Sequence, residues 1–142
     1  MGLESKELIS LRNISKYNIY YEDTDFSGFV YHANYLKFFE RARSNMLGIS
    51  ALKSLFEEGF HFVVTKALLE FKAPARFGDE VIVESHAEIS KSPRVHIKHI
   101  LKNIYEKALV IGDIEVALLD KNNRPAKIPE NFLIYLKAKN IS

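Results

Sequence analysis

The chain has 142 residues, 47% hydrophobic and 12% aromatic, enough to build one domain around a full core without covalent staples. It contains no cysteine, which excludes disulfides, a thiolate nucleophile and cysteine-based zinc or iron–sulfur sites. Twenty Lys and Arg against eighteen Asp and Glu leave a net charge of +2, and the basic residues are scattered, so the electrostatic footprint of a nucleic-acid binder is missing.

The first residues, Met1-Gly2-Leu3-Glu4-Ser5-Lys6, carry an acid where a secretory signal needs a basic patch and then an apolar run. Lys6 stands where a myristoylation motif needs Ser or Thr, so Gly2 is not read as a lipid acceptor. Residues 1–14 are expected to be a flexible amphipathic lead-in to a single domain spanning 1–142. No segment approaches the roughly 18 apolar residues of a transmembrane span, and the expected setting is cytoplasmic.

Residues 17–22 alternate Tyr17, Ile19 and Tyr21 against Asn18, Tyr20 and Glu22, which predicts a strand. From 32 to 47, Tyr35, Phe38, Phe39, Ala42 and Met46 fall on one helical stripe, with Gly48 as its stop. Glu40 and Arg43, three residues apart at the edge of that stripe, are expected to pair. A short helix over 51–58 precedes strands over 61–71, 80–90, 95–104 and 108–119. Turn chemistry at 72–79, Ser92-Pro93, 105–107 and 120–124 separates them. Pro129 opens a last short helix to about 139. One long helix ahead of an antiparallel meander is an α+β layout whose sheet of about five strands can wrap the helix. Its open edges would be covered by pairing subunits, which predicts a homo-oligomer.

Residues 20–35, Tyr-Tyr-Glu-Asp-Thr-Asp-Phe-Ser-Gly-Phe-Val-Tyr-His-Ala-Asn-Tyr, crowd three carboxylates, a glycine and a histidine among large apolar side chains. A solvated loop has little use for so many aromatics, so some of these acids are expected in a partly buried cleft. From spacing alone, Asp25 is either a reactive acid or a helix cap, Asp23 a structural acid satisfying loop amides, and His32 a catalytic group or a polar residue fixing the helix start. His61, His86, His96 and His99 follow no metal-ligand spacing; His96 and His99 fall on opposite faces of a strand, and no metal or cofactor is expected.

The pattern Tyr21-x-Asp23-Thr24-Asp25-x-x-Gly28-x-Val30-Tyr31-His32-x-x-Tyr35, followed by Phe39-Glu40-Arg41-Ala42-Arg43, resembles the hotdog-fold acyl-CoA thioesterases of the YbgC type, associated with the Tol–Pal system. The broader relatives include 4-hydroxybenzoyl-CoA thioesterase. The similarity continues through Phe62-Val63-Val64, Phe71-x-x-Pro74-Ala75-Arg76 and Asp79, covering roughly residues 17–120; the first block is specific and the later ones mostly report fold. The resemblance implies a central helix wrapped by the sheet, dimers paired as tetramers, active sites at a subunit interface, and Asp25 as the catalytic acid. His32 joins Asp25 as a catalytic candidate, with Tyr21, Gly28, Val30, Tyr31 and Ala33 in the substrate and oxyanion region and Glu40 as the competing acid. Lys91, Ser92 and Arg94 are candidate contacts for the phosphates of coenzyme A, though a polar hairpin tip explains them equally well. Acyl carrier protein, phospholipid-synthesis enzymes and a peripheral place at the inner membrane are the further partners and location this resemblance allows.

The chemistry is consistent with that resemblance on its own terms. A thioester is activated and its thiolate leaves readily, so hydrolysis needs only an activated water or a nucleophile and donors for the developing oxyanion. Asp25 can serve as base or nucleophile, and a helix starting near His32 presents unpaired N–H groups and a positive dipole end. Gly28 lets the connecting loop turn sharply or approach a substrate closely. Two other classes compete: a magnesium-dependent phosphatase using Asp23-x-Asp25, which would need a parallel α/β sheet, and a non-catalytic acyl-CoA or acyl-carrier-protein scaffold using the same pocket.

Overall fold

A computed structural model describes residues 7–141. Its five strands are β1 (Ile9–Asn18), β2 (His61–Phe71), β3 (Glu80–Ile89), β4 (Arg94–Asn103) and β5 (Ala108–Leu119). Its α-helices are α1 (Tyr35–Leu47), α2 (Ile49–Glu57) and α3 (Glu130–Ile141). All strand pairings are antiparallel, in the order β1-β3-β4-β5-β2.

Three sequence expectations change. The lead-in assigned to residues 1–14 is in part the first strand, since β1 starts at Ile9; residues 1–6 lie outside the described residues. Alternation is hidden there because the inward row passes from Ile9 and Leu11 to Asn13 and Ser15 while Ile14 faces out. That polar inward row is bonded: Asn13 Nδ2 donates to Ser15 Oγ at 2.8 Å, and Asn45 Nδ2 on α1 reaches Ser15 Oγ at 3.2 Å and the Tyr17 hydroxyl at 3.3 Å. The strand expected over 17–22 ends at Asn18, because Tyr21–Asp23 close a 3-10 turn.

The second change is topological. Only β3, β4 and β5 form a meander; β2 pairs with β5 at the opposite edge from β1. The long 72–79 connection then crosses from β2 to β3, held by its own hydrogen bonds, Lys72 N–H to Leu109 O at 2.8 Å among them. Third, the helix expected from 32 starts with a 3-10 turn over His32–Asn34 before α1.

The remaining elements fall where the periodicity places them, including β2, β5 and the stop of α1 at Gly48. α1 lies on the concave face and buries Tyr35, Phe38, Phe39, Ala42 and Met46, the predicted stripe. Each fully buried side chain of this size contributes about 1.5–3 kcal/mol of transfer free energy. Phe39 sits so close to β5 that a Cβ on Gly112 would stand 2.6 Å from its Cε2, so glycine is what lets the helix settle on the sheet. The core has two parts. Phe38, Phe39, Val81, Leu101 and Val110 fill the end near the start of α1, whereas Met46, Leu47, Leu55, Leu133 and Leu136 fill the end beneath α2 and α3.

Candidate active site

The site is built by the chain between β1 and α1. Ile19 leaves the sheet tied to the 72–79 connection, its N–H donating to Asp79 O at 2.9 Å and its carbonyl accepting from Gly78 N–H at 3.0 Å. Asp23, only 3% exposed, closes the 3-10 turn by accepting the Tyr20 N–H at 2.9 Å, and Lys37 Nζ stands 3.9 Å from its other oxygen. The Asp23 carbonyl accepts from Tyr31 N–H at 2.9 Å and from Asn34 Nδ2 at 3.0 Å. The expected structural acid therefore pins both ends of the loop.

Beyond it the chain makes a miniature hairpin closed by a Thr24–Val30 bridge, with Asp25 N–H donating to Phe29 O at 2.9 Å and Gly28 N–H to Asp25 O at 3.1 Å. Gly28 has φ 81° and open space where a Cβ would stand, so it serves the turn and not a close approach. Asp23 is the buried acid of this loop; Asp25 is exposed, next to an equally exposed Phe26 at the tip.

Asp25 is nevertheless held. Ser27 donates its hydroxyl to Oδ1 at 2.5 Å and its N–H to the same oxygen at 2.9 Å, an Asx turn. The Ser27 hydroxyl first, then its amide, and to a smaller extent the neighbouring His32, hold the Asp25 carboxyl below its ordinary value. At neutral pH this group is a carboxylate of fixed orientation.

The nearby amides divide sharply. Gly28 donates to Asp25 O, Val30 to Ala75 O and Tyr31 to Asp23 O, so these three are committed within the loop. Among the described residues, the N–H groups of His32 and Ala33 donate to no carbonyl or side chain. They are the first two of the helical run that continues through α1, where the dipole is positive. Aromatic rings wall this end: His32 lies 4.5 Å from Tyr31 and edge-on at 6.3 Å to Phe71, and Tyr21 stacks on Phe77 at 4.0 Å.

Several supporting residues were not singled out from sequence. Ala75 accepts from Val30 and donates to the Tyr35 hydroxyl at 3.1 Å, and Phe29 bridges to Arg76, so the Phe71-x-x-Pro74-Ala75-Arg76 block that read as fold is the floor of the site. Ser27 had a local signal, since Asp followed two residues later by a donor is a common turn. Asn34, by contrast, has a partner eleven residues away. Other candidates stand apart from Asp25 within the protomer. Lys91, Ser92 and Arg94 lie past the far end of β3, roughly 30 Å along a ten-residue strand from the 76–80 segment that touches the loop, and Arg94 pairs with Glu115 at 3.0 Å. Glu40 is exposed in the second turn of α1, and the expected Glu40–Arg43 ion pair is not formed among the described residues. Arg43 lies half-buried, close enough to His99 to repel its charge, while Glu40 stays in solvent.

A five-stranded antiparallel sheet around one helix, with an acid loop at the helix start, defines a hotdog-fold thioesterase. The chain belongs to the Thioesterase-like superfamily, whose family model matches residues 20–136. It is 31% identical over 122 residues to the acyl-CoA thioester hydrolase YbgC of Escherichia coli O6:H1, an alignment covering 84% of this chain and 91% of that protein. It is 40% identical over 79 residues to the acyl-CoA thioesterase YbgC of Helicobacter pylori, covering 56% and 57% of the two chains. Among solved structures, a probable thioesterase from Bartonella henselae superposes with a TM-score of 0.75 at 31% identity, covering 83% of this chain and 99% of the other.

Proposed function

We propose that this thioesterase acts as one domain on acyl-CoA thioesters, with Asp25 as the reacting carboxylate and the amides of His32 and Ala33 as donors to the oxyanion. The observation that carries the reading is the pairing of an exposed, Ser27-oriented carboxylate with two uncommitted amides at a helix start. As a base, Asp25 takes a proton from water, whose oxygen attacks the thioester carbon. As a nucleophile, its own oxygen attacks and forms a mixed anhydride that water then cleaves. In both, the C–S bond breaks, the thiolate leaves and takes up a proton, and negative charge on the carbonyl oxygen is met by the helix-start amides. His32, Tyr31, Phe71 and Tyr21 flank the thioester as an aromatic surround.

Edge-to-edge pairing of β2 with a second copy fits its sequence, since Val64, Leu68 and Phe71 stand exposed on an unpaired edge strand. A dimer, and a dimer of dimers as the resemblance implies, would bring two such sites together. Contacts of Lys91, Ser92 and Arg94 to coenzyme A phosphates would then have to come from another subunit than the one supplying Asp25. Acyl carrier protein, phospholipid-synthesis enzymes, Tol–Pal association, a cytoplasmic setting and a peripheral membrane place rest on the resemblance and the composition alone.

The test is free-thiol release across a panel of acyl-CoA chain lengths, with and without EDTA, alongside sedimentation over a dilution series. Turnover independent of EDTA by a species larger than a monomer is expected, and Asp25→Asn should lose far more of it than Glu40→Gln. The reverse order reassigns the reacting acid. A single turnover in heavy-oxygen water identifies the anhydride route when water attacks the Asp25 carboxyl carbon, since the product acid then keeps an enzyme oxygen and the heavy oxygen stays on Asp25.

A further inference from the structure

A groove of about 380 Å³ runs between α1, α2 and the start of β2. Its walls are apolar, with Leu47, Leu52, Leu55, Phe60, Phe62 and Val116 among them, and Glu40, Arg43, Ser44 and His61 bring polar groups to it. Arg43 is the unusual member. It is half-buried, its proton is loosened by desolvation, and among the described residues no carboxylate pairs with it. Glu40 acts on it only through space, from an exposed position where water and salt screen the attraction. The buried ring of His99 supplies no counter-charge: burial and the nearby Arg43 disfavour its protonation, so it stays neutral at pH 7. A cation drawn out of water into an apolar cleft without a partner is costly, and an anion entering the cleft would relieve that cost.

We propose that this groove receives the distal part of the acyl group and that Arg43 binds a carboxylate at its far end, making CoA thioesters of dicarboxylic acids the preferred substrates. The inference rests on the acyl-CoA hydrolysis reading and names the substrate class for it. The apolar walls take the methylene chain, and the guanidinium fork takes the terminal carboxylate in a geometry that a lysine ammonium matches less well. Arg43 lies eleven residues beyond His32, roughly 16 Å along a helix rising 1.5 Å per residue. Within one protomer a long diacid bridges that span; a shorter one reaches if a second copy supplies the nearer Asp25.

The experiment compares matched pairs on the full chain: succinyl- with butyryl-CoA, glutaryl- with valeryl-CoA, adipoyl- with hexanoyl-CoA, and dodecanedioyl- with lauroyl-CoA. The wild type should favour the diacid at one or more lengths. Arg43→Met should lower kcat/KM for that diacid by about 10- to 100-fold, the size of one hydrogen bond to a charged group, and leave the matched monoacid little changed. Arg43→Lys should recover part of the loss. Calorimetric binding of the non-hydrolysable thioether analogues of glutaryl- and valeryl-CoA carries the same prediction without turnover. A wild type that turns over monoacids and shows no diacid preference at any length overturns the proposal. So does an Arg43→Met variant that loses both substrates equally as its sedimentation changes, because Arg43 then pairs with a second copy. If no acyl-CoA of either kind is cleaved or its analogue bound, the hydrolysis reading itself has failed, a result distinct from a lost preference.

Discussion

The two ends of α1 are served by one apolar stripe and behave in opposite ways. At the start of the helix most of the polar backbone groups hold a loop in place, and among the described residues two amides stay uncommitted near an exposed acid. At the other end α2 and α3 bury the helix in apolar side chains, and the groove there holds the Arg43 guanidinium, which no carboxylate pairs with among the described residues. Asp23 and Asp25 repeat the contrast at closer range, two residues apart: one buried, hydrogen-bonded to the Tyr20 amide and approached by Lys37, the other facing solvent and hydrogen-bonded to Ser27. On the proposed reading the reacting acid is the accessible one, and the buried acid anchors the loop beneath it.

The sharpest way to break that division is to neutralise each acid in turn. Asp25→Asn should cut turnover by roughly 100- to 10,000-fold, the range for a positioned proton-transfer group, with no change in thermal midpoint. Asp23→Asn should instead lower stability by about 1–3 kcal/mol in urea titrations, because a buried partner of the Tyr20 amide loses charge, with activity falling only as the loop loosens. If Asp23→Asn leaves stability intact, the support role assigned to it is wrong.

Next in size is the amide at the helix start. His32→Pro removes the N–H at a position where the helical run needs none internally, and turnover should fall roughly 100- to 1000-fold, whereas His32→Ala keeps the amide and should cost little. The comparison holds at matched thermal stability, since Pro also restricts Tyr31. Equal losses in the two variants would make the imidazole a participant.

At the core, pH reports on His99, which is fully buried, bonded through Nδ1 to Ser85 Oγ at 2.7 Å and stacked on Phe39. Desolvation first, then Arg43, push its pKa down from 6.5 to about 3. The unfolded chain therefore binds a proton that the folded one refuses. The stability His99 contributes is complete above about 6.5 and drains away as pH falls toward 3. Thermal midpoints measured across that window should slope less in His99→Gln than in the wild type; parallel slopes would count against a neutral buried imidazole. The smallest effect is at Ser27. Its two hydrogen bonds depress the Asp25 pKa, so Ser27→Ala should move the acidic limb of kcat/KM to higher pH while leaving the plateau nearly unchanged. A limb that stays put would mean that the hydroxyl does not hold the carboxylate in solution.

Much of this was readable from residue order because periodicity is local. The stripe from Tyr35 to Met46, the alternation in β2 to β5 and the turn residues between them reflect geometry that repeats every few positions, and the family pattern around Asp25 lies within one short stretch. β1 escaped because its inward row turns polar at Asn13 and Ser15, and Ser15 accepts from Asn45 on α1, thirty residues later. The place of β2 at the far edge escaped because a strand's neighbour is chosen by long-range pairing, which leaves no periodic mark. The same reason divides the site. Sequence alone determined that an acid, a glycine and a helix start lie together. Which acid is buried, which amides are already spent on Ala75 and Asp23, and that Arg43 is drawn half out of water were decided only in the folded chain, because each depends on groups brought there by the tertiary structure.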